Sequence, residues 1–158
     1  MSEFFFPMFV KISDRNVFVI GGGQIAARRV ATLLRFTKRI TLVSKECSLE
    51  MQKLLEMNPE ICYISRKLDV NDLENGGYES LLEGADMVLT ATNQRDLNAS
   101  IVHWCKENGI LVNTADDKTL CDFYFPSVVE KDGVLIALNS GGESPSRVKR
   151  LRKRIEGM

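Results

Sequence analysis

Three consecutive glycines, Gly21 to Gly23, constrain the fold of this chain more than any other feature of its sequence. An apolar run at 17–20 ends at these glycines and predicts a strand, and apolar residues recur at helical spacing from Ile25 onward. A strand, a tight turn and a helix form the arrangement that holds a dinucleotide pyrophosphate at a helix N-terminus. Gly21, Gly23 and Ala26 fit the G-x-G-x-x-G/A pattern, in which the last small residue keeps helix and strand close. The sequence therefore predicts a dinucleotide site here; the alternative is a glycine-rich turn of another α/β protein.

The pattern that follows alternates between predicted strands and helices. Further strands are predicted at 39–43, 61–65, 86–92 and 110–113, and the helices between them at 48–57, within 72–83 and at 97–108. Strands that alternate with helices predict a parallel sheet covered on both faces, here a Rossmann-type domain over 1–113.

The C-terminal region, 114–158, has a different pattern. Two apolar runs at 123–129 and 134–139 flank Lys131-Asp132-Gly133, which predicts a β-hairpin. Ser144-Pro145 then predicts the start of a basic helix that runs to Glu156. The predicted fold is an α/β Rossmann-type sheet followed by a β-hairpin region and a C-terminal helix.

Charge, hydropathy and cysteine spacing exclude several classes of protein. Lysine plus arginine and aspartate plus glutamate both number 21, so no global field favours nucleic acid or an anionic membrane as partner. The basic residues of 147–154 favour either a local anionic partner or, as the simpler interpretation, a solvated or subunit-contact face. No apolar run approaches membrane-spanning length, and the four cysteines have no C-x-x-C spacing. We expect a cytoplasmic protein with reduced thiols and no metal site.

Two strand ends are candidate cofactor contacts. Lys45 and Glu46 follow the second predicted strand, where an acidic residue favours NAD and a basic one accommodates NADP. We expect NAD; the alternative for this pair is a solvated corner between strand and helix. Thr92 and Asn93 end the fourth strand, at the carboxyl edge where the ligand crevice of such a sheet lies.

Two further sites carry chemistry suited to a substrate. Asp116 stands just past the fifth strand, where a carboxylate could take a proton, although Asp116-Asp117 could equally be a turn or a helix cap. Backbone N–H groups of Ser140-Gly141-Gly142 could hold carboxylates, with a plain hairpin exit as the alternative.

The order of these motifs resembles a known family. GGGQIAARR, TLVSKE, LTATNQRDLN, GILVNTADD, LCDFYFPSVV and NSGGESPSRVKRLRKRIE occur in the order seen in precorrin-2 dehydrogenases, the NAD-dependent module of sirohaem synthases. The similarity covers essentially the whole chain. It implies oxidation of precorrin-2, a tetrapyrrole, to sirohydrochlorin with NAD⁺ in sirohaem or cobalamin biosynthesis.

The resemblance also implies roles for individual residues. Cofactor contacts fall on Gln24, Ile25, Lys45 and Glu46, and the critical aspartate falls on Asp116. The substrate site falls on Asn113 and on the turn Ser140, Gly141 and Gly142, and the serine of this turn is phosphorylated in some members. Members are usually homodimers that pair through the hairpin region and the helices after it.

Two departures from the family pattern bear on these expectations. The first helix ends in Arg35-Phe36-Thr37-Lys38-Arg39, without the glycine that family members carry there. Members also continue into a helical C-terminal region, so this chain is expected to be truncated or naturally short. Two alternative functions stay open: a bifunctional dehydrogenase and sirohydrochlorin ferrochelatase, and a non-catalytic NAD(H)-sensing module.

Overall fold

The computed structural model describes residues 5–72 and 76–158. They form two compact units, one made of Val10–Asp122 and the other of the described residues up to Phe9 together with Phe123–Met158. Leu73, Glu74 and Asn75, which belong to the turn predicted within 72–83, lie outside the described residues.

The first unit contains five strands and four helices among its described residues. The strands are β1 Val17–Ile20, β2 Ile40–Val43, β3 Cys62–Ile64, β4 Met87–Thr90 and β5 Leu111–Thr114. The helices are α1 Gln24–Leu33, α2 Leu49–Met57, α3 Gly77–Leu81 and α4 Arg95–Glu107, with single 3₁₀ turns at Val70–Asp72 and Lys118–Leu120.

All five strands run parallel, in the order β3-β2-β1-β4-β5. β1, which leads into the glycine turn, lies at the centre and pairs with β2 through Val19↔Leu42 and with β4 through Val19↔Leu89. Because the strands are parallel, their carboxyl ends lie at one edge of the sheet. The strand order changes direction between β1 and β4, and this is the topological switch point of the sheet.

Side chains of alternate strand residues build the two faces of the core. Phe18 and Ile20 of β1 belong to a cluster with Val88 of β4, Val112 of β5 and buried residues of α3 and α4. The intervening residues, such as Val19 and Leu89, are fully buried and point to the opposite face, where α1 and α2 pack. Covered faces on both sides explain the nearly continuous apolar runs of the strands.

The second unit is built around a hairpin and one helix. β6 Ser127–Lys131 pairs antiparallel with β7 Val134–Leu138, and α5 Pro145–Glu156 packs against β6. Asp132 and Gly133 join the strands with φ values of 50° and 75°, which is the type I′ geometry that matches the twist of a hairpin. The ring centroid of Phe5, in the N-terminal part of this unit, lies 4.0 Å from the ring centroid of Tyr124.

The predicted fold class is confirmed, including the parallel sheet, the hairpin and the C-terminal helix. α1 ends without the left-handed glycine of the family pattern: the cap residue Leu34 is right-handed, and the N–H groups of Phe36 and Thr37 both donate to the carbonyl of Leu33. The two 3₁₀ turns were not predicted. None of the helices in the described ranges is long and apolar enough to cross a membrane.

Two leucines on neighbouring strands test this account of the core. Leu89 is fully buried in β4, whereas Leu111 at the start of β5 is 46% exposed. We expect Leu89→Ala to lower the free energy of unfolding by about 2–5 kcal/mol through lost burial and a residual cavity. Leu111→Ala, the matched control, should change it by about 0.5 kcal/mol or less. Urea denaturation of both variants measures the difference, and equal losses would contradict the assignment of the core.

Candidate functional site

A cleft of about 1080 Å³ opens at the carboxyl edge of the sheet, within the first unit. Its floor is the glycine turn after β1. Its walls come from the segment after β2, the segment after β3 and the segment after β4 with the first part of α4. The lining residues are 20–25, 43–48, 66–68, 91–94 and Leu97.

Gly21 and Gly22 pack closely between the two neighbouring strand exits. A β-carbon at position 21, where φ is 115°, would lie 2.5 Å from the carbonyl oxygen of Ala91. A β-carbon at position 22 would lie 2.1 Å from the carbonyl oxygen of Glu46. The N–H of Gly21 donates to Val43 and the carbonyl of Gly22 accepts from Ser48, at 2.9 and 2.8 Å. Only glycine fits at both positions, because backbone atoms surround them.

Gly23 differs from both, because a β-carbon there would meet nothing within 4 Å. It is the N-cap of α1 in extended conformation, and no side chain caps the free N–H groups of the first turn, which contains no acidic residue. The space beside Gly23 and the uncapped N–H groups fit the pyrophosphate of a dinucleotide. Gly21 and Gly22 are therefore enclosed by backbone atoms of the neighbouring segments, whereas Gly23 faces the open space of the cleft.

The cleft wall near β2 carries mixed charge. Lys45, Glu46, Arg66 and Lys67 line it, and the Arg66 guanidinium lies 2.7 Å from Asp72. The backbone N–H of Asp69 and, to a lesser extent, this guanidinium lower the pKa of Asp72. This wall lies where the adenosine ribose is held in dinucleotide-binding sheets.

A buried asparagine, which was not predicted from the sequence, fixes the wall after β4. Asn98 of α4 is 1% exposed, and its side-chain oxygen accepts from the Thr92 hydroxyl and N–H at 2.7 and 3.3 Å. Its amide nitrogen donates to the Thr92 carbonyl at 3.1 Å. These three hydrogen bonds hold the backbone beside Asn93 in place. A polar residue on the apolar face of a predicted helix was the signal available in the sequence.

Asp116 and Asp117 follow β5, and they differ in their hydrogen-bond partners. One oxygen of Asp117 accepts from the N–H and hydroxyl of Thr119, at 2.9 and 2.6 Å, and the other lies 3.4 Å from Arg95. The Thr119 hydrogen bonds, with a smaller contribution from Arg95, lower the pKa of Asp117. Asp116 is exposed, and among the described residues its carboxylate contacts one partner, the Thr114 hydroxyl, which donates to Oδ1.

The backbone around Asp116 is fixed at both ends. The N–H of Ala115 donates to the carbonyl of Thr90 at 2.9 Å, so Asp116 leaves the sheet beside the end of β4. The chain then turns back along the outer edge of β5, where Asp122 bonds the N–H and carbonyl of Val112 at 3.0 and 2.9 Å. Asp116 is therefore held at the carboxyl edge, with β4 between it and the glycine turn, and it is not among the residues that line the cleft.

The predicted turn Ser140-Gly141-Gly142 belongs to the second unit. Both glycines have positive φ, 65° and 75°, and the N–H of Gly141 donates to the Asn139 side chain at 2.6 Å. The Ser140 hydroxyl accepts from the N–H of Ser144 at the start of α5. The turn therefore leads the chain from β7 into α5, and its contact with substrate stays a prediction.

Most of the predicted cofactor residues come together at the cleft. Its lining includes Gly21, Gly23, Gln24, Ile25, Lys45, Glu46, Thr92 and Asn93. Ala26 is fully buried in α1 instead, in agreement with its predicted packing role. Asn113, a predicted substrate residue, is 3% exposed within β5 and does not line the cleft. The contacts of these residues with cofactor and substrate stay predictions.

Comparison with known proteins agrees with this geometry. A family model described as putative NAD(P)-binding matches residues 8–127. A siroheme synthase of Buchnera aphidicola subsp. Acyrthosiphon pisum (strain APS) is 32% identical over 154 residues, which are 98% of this chain and 30% of that protein. A probable multifunctional siroheme biosynthesis protein HemA of Ruminiclostridium josui is 37% identical over 152 residues, 95% of this chain and 27% of that protein. The chain thus spans about a third or less of the length of these relatives.

The solved structure of SirC, precorrin-2 dehydrogenase, has the same fold. It superposes with a TM-score of 0.75 at 24% identity, over 97% of this chain and 70% of that chain. The match includes the sheet and the region after it.

Adjacent glycines give a matched test of the cleft. We expect Gly22→Ala to destabilise the fold by about 1–3 kcal/mol, because its methyl group would overlap the Glu46 carbonyl. Gly23→Ala should leave the melting temperature unchanged but weaken NAD⁺ binding about tenfold or more, because its methyl group would occupy the pyrophosphate position. Thermal melts and calorimetric titration with NAD⁺ measure the two effects. Unchanged NAD⁺ affinity in Gly23→Ala would place the pyrophosphate elsewhere.

Proposed function

We propose a function that proceeds from family membership: this chain belongs to the putative NAD(P)-binding family. The proposed reaction is the NAD⁺-dependent oxidation of precorrin-2 to sirohydrochlorin, in the cytoplasm. The names of the relatives, siroheme synthase and precorrin-2 dehydrogenase, support the substrate class. The preference for NAD over NADP rests on Glu46, a carboxylate in the cleft wall after β2.

The cofactor site is proposed from the glycine turn and the segments beside it. The N–H groups at the start of α1 hold the pyrophosphate, the wall containing Lys45 and Glu46 holds the adenosine ribose, and Thr92 and Asn93 lie toward the nicotinamide. When bound, NAD⁺ supplies the hydride acceptor. The open face of Gly23 is the observation that carries this proposal.

Asp116 is the proposed base. Oxidation of the tetrapyrrole removes a proton as well as a hydride, so a carboxylate at the crevice is the group expected. Asp117 is occupied by Thr119 and Arg95, whereas Oδ2 of Asp116 has no protein partner among residues 5–72 and 76–158. Oδ2 is therefore the oxygen available for a proton from the substrate.

The second region, 114–158, is proposed to bind substrate and to form a homodimer. Within the described part of its unit, large apolar side chains are exposed, among them Phe6 at 86%, Phe9 at 69% and Val134 at 57%. A two-stranded sheet with one helix has little interior of its own, since Val129 is the hairpin residue that is buried. A second copy would cover these side chains. Backbone groups of the Ser140-Gly141-Gly142 turn are proposed to hold substrate carboxylates.

Substitution of Asp116 tests the proposed base. Asp116→Asn keeps the volume and removes the charge, so turnover with precorrin-2 should fall by about a hundredfold or more. NAD⁺ affinity should stay within about threefold, because the pyrophosphate and ribose contacts are elsewhere. NADH formation, followed by absorbance, and calorimetric titration with NAD⁺ measure the two quantities.

Asp117→Asn is the matched control for this experiment. It weakens the cap on Thr119 and the ion pair with Arg95, so we expect a lower melting temperature with turnover close to that of the parent chain. Near-normal turnover in Asp116→Asn would remove the base role. Tight NADH binding without any NADH formation from precorrin-2, in the parent chain, would favour an NAD(H)-sensing module instead.

A further inference from the structure

We propose that Thr114 is a positioning residue, which fixes the orientation of the Asp116 carboxylate so that one oxygen faces the substrate. The inference rests on the proposed function of Asp116 as base. Thr114 is the last residue of β5, and no role was predicted for it from the sequence.

The contact itself is simple. Thr114 is 4% exposed, and its hydroxyl donates to Oδ1 of Asp116, two residues further along the chain. The Asp116 side chain is otherwise exposed, and this hydroxyl is its partner among the described residues. Without it, the side chain would be free to rotate between its staggered rotamers.

The backbone of Thr114 is held firmly enough to provide a fixed donor. Its N–H donates to the sulfur of Cys121 at 3.3 Å, and its carbonyl is 3.3 Å from the same sulfur. Burial raises the pKa of the Cys121 thiol, so the thiol stays protonated and remains able to donate. Thr114 also closes the pairing of β5 with β4, opposite Thr90.

The hydrogen bond distinguishes the two carboxylate oxygens. Oδ1 already accepts a hydrogen bond from the Thr114 hydroxyl. A proton from the substrate is therefore taken at Oδ2. Restricting the aspartate to one of about three rotamers raises the fraction in the reactive orientation about threefold. The threonine thus contributes to turnover without touching substrate or cofactor.

Two substitutions at this position separate orientation from packing. Thr114→Val keeps the shape and removes the hydroxyl, and Thr114→Ser keeps the hydroxyl and removes the methyl group. We expect kcat to fall about threefold in Thr114→Val, with KM and NAD⁺ affinity within about twofold, and to recover in Thr114→Ser. An equal loss in both variants would overturn the inference, because it would follow from packing alone.

The orientation is also measured without turnover. Three-bond NMR couplings of Asp116 should report a single rotamer in the parent chain and in Thr114→Ser, and averaged rotamers in Thr114→Val. Averaged Asp116 rotamers in the parent chain would overturn the inference, and this measurement does not depend on whether Thr114→Val folds. Unchanged Asp116 couplings in folded Thr114→Val would also overturn it.

The two proposals fail in different ways. Averaged couplings in Thr114→Val, together with normal turnover in both Thr114→Val and Asp116→Asn, would support the orientation and overturn the base role of Asp116. If Asp116→Asn lowers turnover about a hundredfold, Thr114→Val should have no further effect on the residual turnover in that background. An additional tenfold loss there would show that Thr114 acts through another group and would overturn its positioning role.

Discussion

The close passage of the backbone at Gly21 and Gly22 is the constraint on which the rest of this structure depends. The turn lies between the chain leaving β2 and the chain leaving β4, and a single methyl group on either glycine would overlap a carbonyl oxygen. This contact brings three strand ends to one place. It directs α1 so that its free N–H groups face the cleft, while the residues that line the cleft come from segments far apart in the sequence.

The residues after β5 show how carboxylates in one short segment can differ in their hydrogen-bond partners. Asp117 satisfies a backbone turn and pairs with an arginine, and Asp122 bonds the edge strand, whereas Asp116 keeps an oxygen available to solvent. Neighbouring carboxylates of identical chemistry therefore differ in their local partners and in how far their oxygens remain available. The sulfur of Cys121 belongs to the same arrangement, since it holds the residue that contacts Asp116.

Much of the fold was predictable because its signals are local. The apolar runs, the glycine turn, the Asp132-Gly133 hairpin and the Ser144-Pro145 helix start each depend on residues adjacent in sequence, and the structure contains all four elements. The contacts of Gly22, Asn98, Thr114 and Cys121 were not predicted, because each depends on tertiary placement. The sequence contained three glycines, but it did not indicate which would be enclosed by backbone and which would face open space.

The return of the chain along β5 has a consequence for solubility. β5 is an edge strand, and the unpaired backbone groups of an edge strand are a template on which another molecule's strand can pair. Asp122 occupies such groups at Val112, using its own N–H and its carboxylate, and places a negative charge against that edge. The segment that carries Asp116 therefore also covers this edge of the sheet at Val112 against pairing with another strand.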